Sequence, residues 1–179
     1  MPQLNHFPVA KQATDNSCWA STGRAINNFY KSIGQSGPNP EYKSDQAFAD
    51  ACAKAGKDSS YQNIEVQNSA PAALAILGYS NSADERALPT EDEITKAINE
   101  GTPLLAIVAE DRLSTNRNLN VRNGHWVVIT GISEDQRTID VFDPDNGKIN
   151  TVDYNTETYR ANQYWQNTSY VDPNSSVDN

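Results

Sequence analysis

The chain changes periodicity near residue 102, and that switch limits its possible folds more than any other feature. Before it, apolar residues recur at helical spacing. Trp19, Thr22, Ile26, Phe29 and Tyr30 can line one face of a helix from Cys18 to about Gly34, which Gly34 and Gly37-Pro38 end. Ser44 opens a second helix, roughly 45–55, carrying Phe48 and Cys52, and Gly56 closes it. Ala72 to Leu77 predict a third, stopped by Gly78. Thr90-Glu91-Asp92-Glu93 is a capping box, followed by an Ile94, Ala97, Ile98 stripe and a terminating Gly101.

After the switch, Leu104 to Val108 is a continuous apolar run suited to a buried strand. His125 to Ile132, Thr138 to Phe142 and Lys148 to Val152 follow as short strands. Turns are expected at Gly131–Gln136 and Asp143–Gly147, and Trp165 to Val171 supplies a last strand. Helices first and sequential strands second define an α+β chain with an antiparallel meander. Residues 1–17 read as an extended arm and loop, 57–70, 79–89 and 110–123 as polar loops, and 172–179 as a disordered tail.

A length of 179 residues suits a single domain, with a helical lobe over 18–101 and a sheet lobe over 102–171. With 23 acidic against 14 basic residues the formal charge is -9, which disfavours phosphate backbones and anionic membrane surfaces as partners. No apolar run is long enough to cross a membrane. The first ten residues show no leader pattern, and a mature chain with its leader removed reads the same way. Two cysteines and two histidines fit neither a disulfide scaffold nor a structural zinc site, so no metal or other cofactor is expected. Oligomeric state is left open.

Cys18 sits where the first long helix begins. Unpaired backbone N–H groups and the positive end of the helix dipole there favour a thiolate, the reactive form. His125 opens a strand directly after Gly124, where its imidazole can take a thiol proton and later protonate a leaving amine. Asp143 ends the next strand and can fix the His125 tautomer, with Asp145 and Asn146 as rivals. Gln12, six residues before Cys18, can donate to a developing oxyanion beside the Cys18 N–H. Cys52 shares a stripe with Phe48 and reads as buried core, and a disulfide to Cys18 is rejected because it would block the nucleophile. His6 reads as a surface residue, Trp19 as core, and Trp126 as either cleft wall or packing.

Together, Gln12-Ala-Thr-Asp-Asn-Ser-Cys18-Trp19-Ala20-Ser21 and Gly124-His125-Trp-Val-Val-Ile-Thr-Gly-Ile132, with Phe142-Asp143-Pro144 downstream, resemble papain-like cysteine peptidases. The compact bacterial branches are most similar: the C39-like peptidases and the AvrRpt2-like C70 effector proteases. Trp19 after the Cys, where typical C39 domains have Gly, favours the second branch, as does an Asp soon after the His strand. The resemblance implies a papain-like fold with the cleft between helical and sheet lobes. It also implies Cys18 as nucleophile, His125 as base and acid, Asp143 as its orienter and Gln12 in the oxyanion hole. The implied activity is thiol-dependent hydrolysis of a peptide bond in a protein or peptide substrate, by a chain secreted or delivered into a target cell, or otherwise cytoplasmic. A deamidase, isopeptidase, transamidase or amidase could use the same groups, and a binding domain could keep the fold without the chemistry.

Overall fold

The computed structural model describes residues 1–35, 39–110 and 124–173. Four α-helices lead: α1 (Cys18–Ser32), α2 (Asp45–Gly56), α3 (Ala70–Ile76) and α4 (Glu91–Asn99), with a short 3-10 turn at Ser59–Gln62. The strands are β1 (Tyr79–Ala83), β2 (Leu104–Ala109), β3 (His125–Ile132), β4 (Thr138–Asp143), β5 (Lys148–Asp153), β6 (Thr158–Arg160) and β7 (Gln163–Pro173). They form one antiparallel sheet in the order β1-β7-β2-β3-β4-β5, with β6 paired to β7. The architecture is α+β, with N-terminal helices and a C-terminal antiparallel sheet whose edge strand β1 falls between α3 and α4, consistent with a papain-like clan fold.

Local chemistry explains most helix starts. Ser44 Oγ accepts the Ala47 N–H, Ser69 Oγ accepts the Ala72 N–H, and Thr90 with Glu93 closes the capping box at α4. Lys57, in a left-handed conformation (φ 53°), ends α2 one residue beyond the expected Gly56. Residues 57–70 contain the 3-10 turn in addition to loop, and 79–89 contain β1, an edge strand that tertiary pairing to β7 stabilises. Asp172 and Pro173 are not tail: they end β7 opposite Ser80 and Tyr79. The expected loop over 110–123 and the rest of the expected tail fall almost wholly on residues outside those described.

β2 is buried along its whole length, whereas the edge strand β5 has only partly buried and exposed positions. α1 and α4 both pack on β3. α1 carries the core across to α2: Trp19 and Phe48 are fully buried with ring centroids 6.4 Å apart. Gly23 permits this closeness, since a Cβ there would stand 2.4 Å from Phe48 Cζ. Among the described residues no helix is long and apolar enough to cross a membrane.

Gly23→Ala adds a helix former but drives a methyl into the Phe48 ring, which is fully buried against Trp19 and Tyr42. We expect the clash to dominate, at about 1–3 kcal/mol. A lower urea midpoint with an unchanged slope in equilibrium unfolding is the predicted result.

Candidate active site

Cys18 is the first residue of α1 and only 2% exposed. The loop before it is fastened from below. Asp45, at the start of α2, is buried, and its Oδ2 accepts the Ala13 N–H at 2.8 Å and lies 3.1 Å from Ser17 Oγ. Its Oδ1 lies 3.1 Å from Arg24 Nε, a residue of α1 itself. One carboxylate thus ties the approach to Cys18, the body of α1 and the start of α2 together. Ser17 does not cap α1 with its side chain; its Oγ instead accepts the Thr14 N–H at 3.0 Å.

His125 opens β3 and Asp143 ends β4, and antiparallel pairing brings both to one end of the sheet. His125 Nε2 lies 2.7 Å from Asp143 Oδ1. An ionised carboxylate only accepts, so Nε2 carries the hydrogen and Nδ1 keeps its lone pair in the neutral ring. Among the described residues, Cys18 is the ring's other polar neighbour. Burial opposes charge on the imidazole. The hydrogen bonds to Asp143 and Cys18, and the charges of both, outweigh it and push the His125 pKa up to about 9. Burial also opposes the charge on Asp143, but His125, the Asp145 N–H and Arg160 hold its carboxyl below the usual range.

Asp143 is saturated with donors. Oδ1 also accepts the Asp145 N–H at 3.0 Å, and Oδ2 takes the Tyr159 hydroxyl at 3.1 Å and Arg160 Nη1 at 3.2 Å. The turn that follows packs on the arm. The Gln12 N–H donates to Pro144 O at 2.7 Å. Gly147 (φ +68°) sits so close that a Cβ would meet Lys11 N at 2.5 Å. Only glycine combines that φ with that proximity.

The structure brings Cys18, His125 and Asp143 to one place. Gln12 reaches the same region, but its Nε2 donates to Asp15 O at 3.3 Å and its buried Oε1 has no hydrogen-bond partner among the described residues. The rivals of Asp143 are otherwise engaged. Asp145 contributes its backbone N–H, and Asn146 bonds to the Lys148 N–H and to Asn150 within the turn. Cys52 is a free, fully buried thiol whose pKa burial pushes up to about 12, and His6 is exposed.

Beside Cys18 opens a cleft of about 940 Å³, reached by Trp126, Ile107 and Gly124 from the sheet side and by Tyr61, Val66 and Asn68 from the helical side. Trp126 is a wall residue, with Nε1 donating to Asn68 O at 3.2 Å, whereas Trp19 is core. The sequence reading missed Asp45, Arg24, Tyr159, Arg160 and the 61–69 wall. Only the first carried any signal, as an acidic residue in the first turn of a helix.

A buried thiol at a helix start, against a histidine tied to a carboxylate and bordering a cleft, is the arrangement of a cysteine-peptidase-like protein. The chain belongs to the Peptidase_C39 like family, whose profile matches residues 4–173. That match supports the C39-like side of the resemblance and lends nothing to the C70 branch or to effector delivery. A search of curated proteins finds no match.

Asp45→Asn keeps an acceptor for Ala13 but strips the buried partner from Arg24. A loss of about 3 kcal/mol in unfolding free energy is expected. Cys18 should also alkylate at an altered rate in the variant that stays folded, measured by iodoacetamide labelling and mass spectrometry.

Proposed function

We propose that this chain is a cysteine peptidase that cleaves peptide bonds with Cys18 as nucleophile, His125 as base and acid, and Asp143 as the group orienting His125. The observation that carries the reading is the His125 Nε2 to Asp143 Oδ1 contact of 2.7 Å on a ring whose other polar neighbour among the described residues is the Cys18 thiol. The thiol proton passes to Nδ1, and the sulfur attacks the substrate carbonyl carbon. The resulting oxyanion is held by the Cys18 N–H, which the helix start leaves without an intrahelical partner. Gln12 joins that hole through the second hydrogen of its amide, the first being spent on Asp15 O. His125 then returns its proton to the departing amine. Water attacks the acyl-enzyme with His125 as base and releases the acid, regenerating the thiol.

Peptidase-family membership favours a protein or peptide substrate. The same groups can hydrolyse a side-chain amide or an isopeptide bond. Product mass separates the readings, since backbone cleavage yields two fragments and deamidation leaves the chain whole.

Cys18→Ala should abolish turnover of a peptide library, and His125→Ala should cost on the order of 10²–10⁴-fold in kcat. Asp143→Ala should cost less, because the base survives and only its position and tautomer degrade. A Cys18→Ala protein as active as the parent would sink the proposal.

The raised His125 value sets the pH response. The imidazolium that protonates the amine persists until pH climbs through about 9, so kcat/KM should fall along an alkaline limb there. Stability carries the same sign. The His125 contribution is complete below its ordinary value of 6.5 and is lost as pH rises through about 9, which thermal unfolding across that window reads directly.

A further inference from the structure

Asp143 has two oxygens and two sets of partners. Oδ1 faces His125 and the Asp145 N–H, while Oδ2 faces the short strand β6 through Tyr159 and Arg160. Tyr159 is buried and packs edge-on against Trp165 at 5.3 Å between ring centroids. The Arg160 guanidinium lies 4.6 Å from the centre of the Tyr159 ring, so the aromatic face helps to aim it at the carboxylate. Asp143 is thus the only carboxylate among the described residues that pairs with both a histidine and an arginine.

We propose that Arg160 and Tyr159 are positioning residues that set the proton affinity of His125 by sharing the charge of Asp143. The inference rests on the peptidase reading for its kinetic consequence, but not for its electrostatics. A carboxylate neutralised from behind by a guanidinium attracts an imidazolium less than one facing it alone. Arg160 therefore keeps the His125 proton transferable, where an unshared Asp143 would hold it more tightly. The groups facing His125 among the described residues are Cys18 from α1 and Asp143 from β4. Those facing Asp143 are His125 and, from β6, Arg160 and Tyr159.

Labelling both histidines with ¹⁵N and titrating the ring signals gives the direct test, with His6 on the surface as internal reference. In Arg160→Gln the His125 midpoint should rise by roughly half a pH unit while His6 stays put. Arg160→Lys, which restores the charge, should return most of the shift. Tyr159→Phe removes one donor to Asp143 Oδ2 with little change of volume and should raise the midpoint by a smaller amount. In turnover, the alkaline limb should move with the midpoint while KM is unchanged, which general loosening of β6 would not produce.

A His125 midpoint that stays in place or falls in Arg160→Gln overturns the proposal. Should that variant not fold, an unmoved midpoint in Tyr159→Phe overturns it equally. The titration is read without substrate, so a shifted midpoint in a protein that cleaves no peptide would uphold the positioning role while refuting the peptidase reading.

Discussion

The contact between His125 and Asp143 depends on one extra residue in β3. Near the hairpin the register is Ile132 opposite Ile139 and Gly131 opposite Asp140; beyond it, Ile129 faces Val141 and Val128 faces Phe142. Thr130 is the residue left over. Continuing the shifted register puts Val127 opposite Asp143, and His125, two residues further along, shares its face as a diagonal neighbour. Without the bulge, Val128 would oppose Asp143 and His125 would point through the other side of the sheet. Beyond Leu104, where β2 ends opposite Ile129, the other edge of β3 pairs instead with the N-terminal arm through a Gln3–Gly131 bridge. The N-terminal arm runs alongside, with the Leu4 N–H donating to Thr130 O at 2.8 Å and the Ile132 N–H to Pro2 O at 3.0 Å. The arm comes close enough to Gly131 that a Cβ there would press on Pro2 O at 3.1 Å. A segment that reads as a featureless extension therefore completes the sheet beside the bulge.

The nucleophile side rests on a comparable device built from charge. Residues 13–17 have no regular structure, so their path to Cys18 needs an outside anchor, and the buried Asp45 supplies it through the Ala13 N–H and Ser17. A buried carboxylate is costly unless paired, and Arg24, one and a half turns into α1, is placed to pair with it. The two halves then meet where Gln12 bonds to Pro144 and Gly147 lies against Lys11. The loop before the thiol and the turn after the carboxylate are thus in direct contact, and a shift in either is felt by the other.

How much of this could be read from the sequence follows from the range of the interactions. The four helices announce themselves through local signals, such as the cap at Thr90 or the spacing of Ile94, Ala97 and Ile98. The same is true of β2 to β5, whose apolar runs and turn residues are contiguous. Cys18, His125 and Asp143 were legible because a helix start, a strand start and a strand end each leave a mark within a few residues. β1 and β6 were not, because the polar run Tyr79–Ala83 becomes strand only by pairing with β7, and Thr158–Arg160 is too short to show a period. Asp45, Tyr159 and Arg160 matter through partners 16 to 32 residues away, and no local pattern encodes such a distance.

The cleft wall shows the same limit in its strongest form. Residues 64–68 follow no periodicity and form no helix or strand, yet the carbonyls of Ile64, Glu65, Val66 and Asn68 are individually claimed. Ile64 O takes the Thr14 hydroxyl, Glu65 O the Asn16 amide, Val66 O the Trp19 indole and Asn68 O the Trp126 indole. The first three donors lie in the nucleophile loop and α1, and the fourth stands next to His125. The groups that present the thiol and the imidazole therefore also fix the wall beside them. A loop held this way keeps its shape without secondary structure of its own, because Trp19 and Trp126 are buried and Thr14 is tied to Ser17. The wall and the reacting groups then share one rigid frame, which suits a proposed reaction needing the scissile carbonyl held against the sulfur rather than delivered by a moving part.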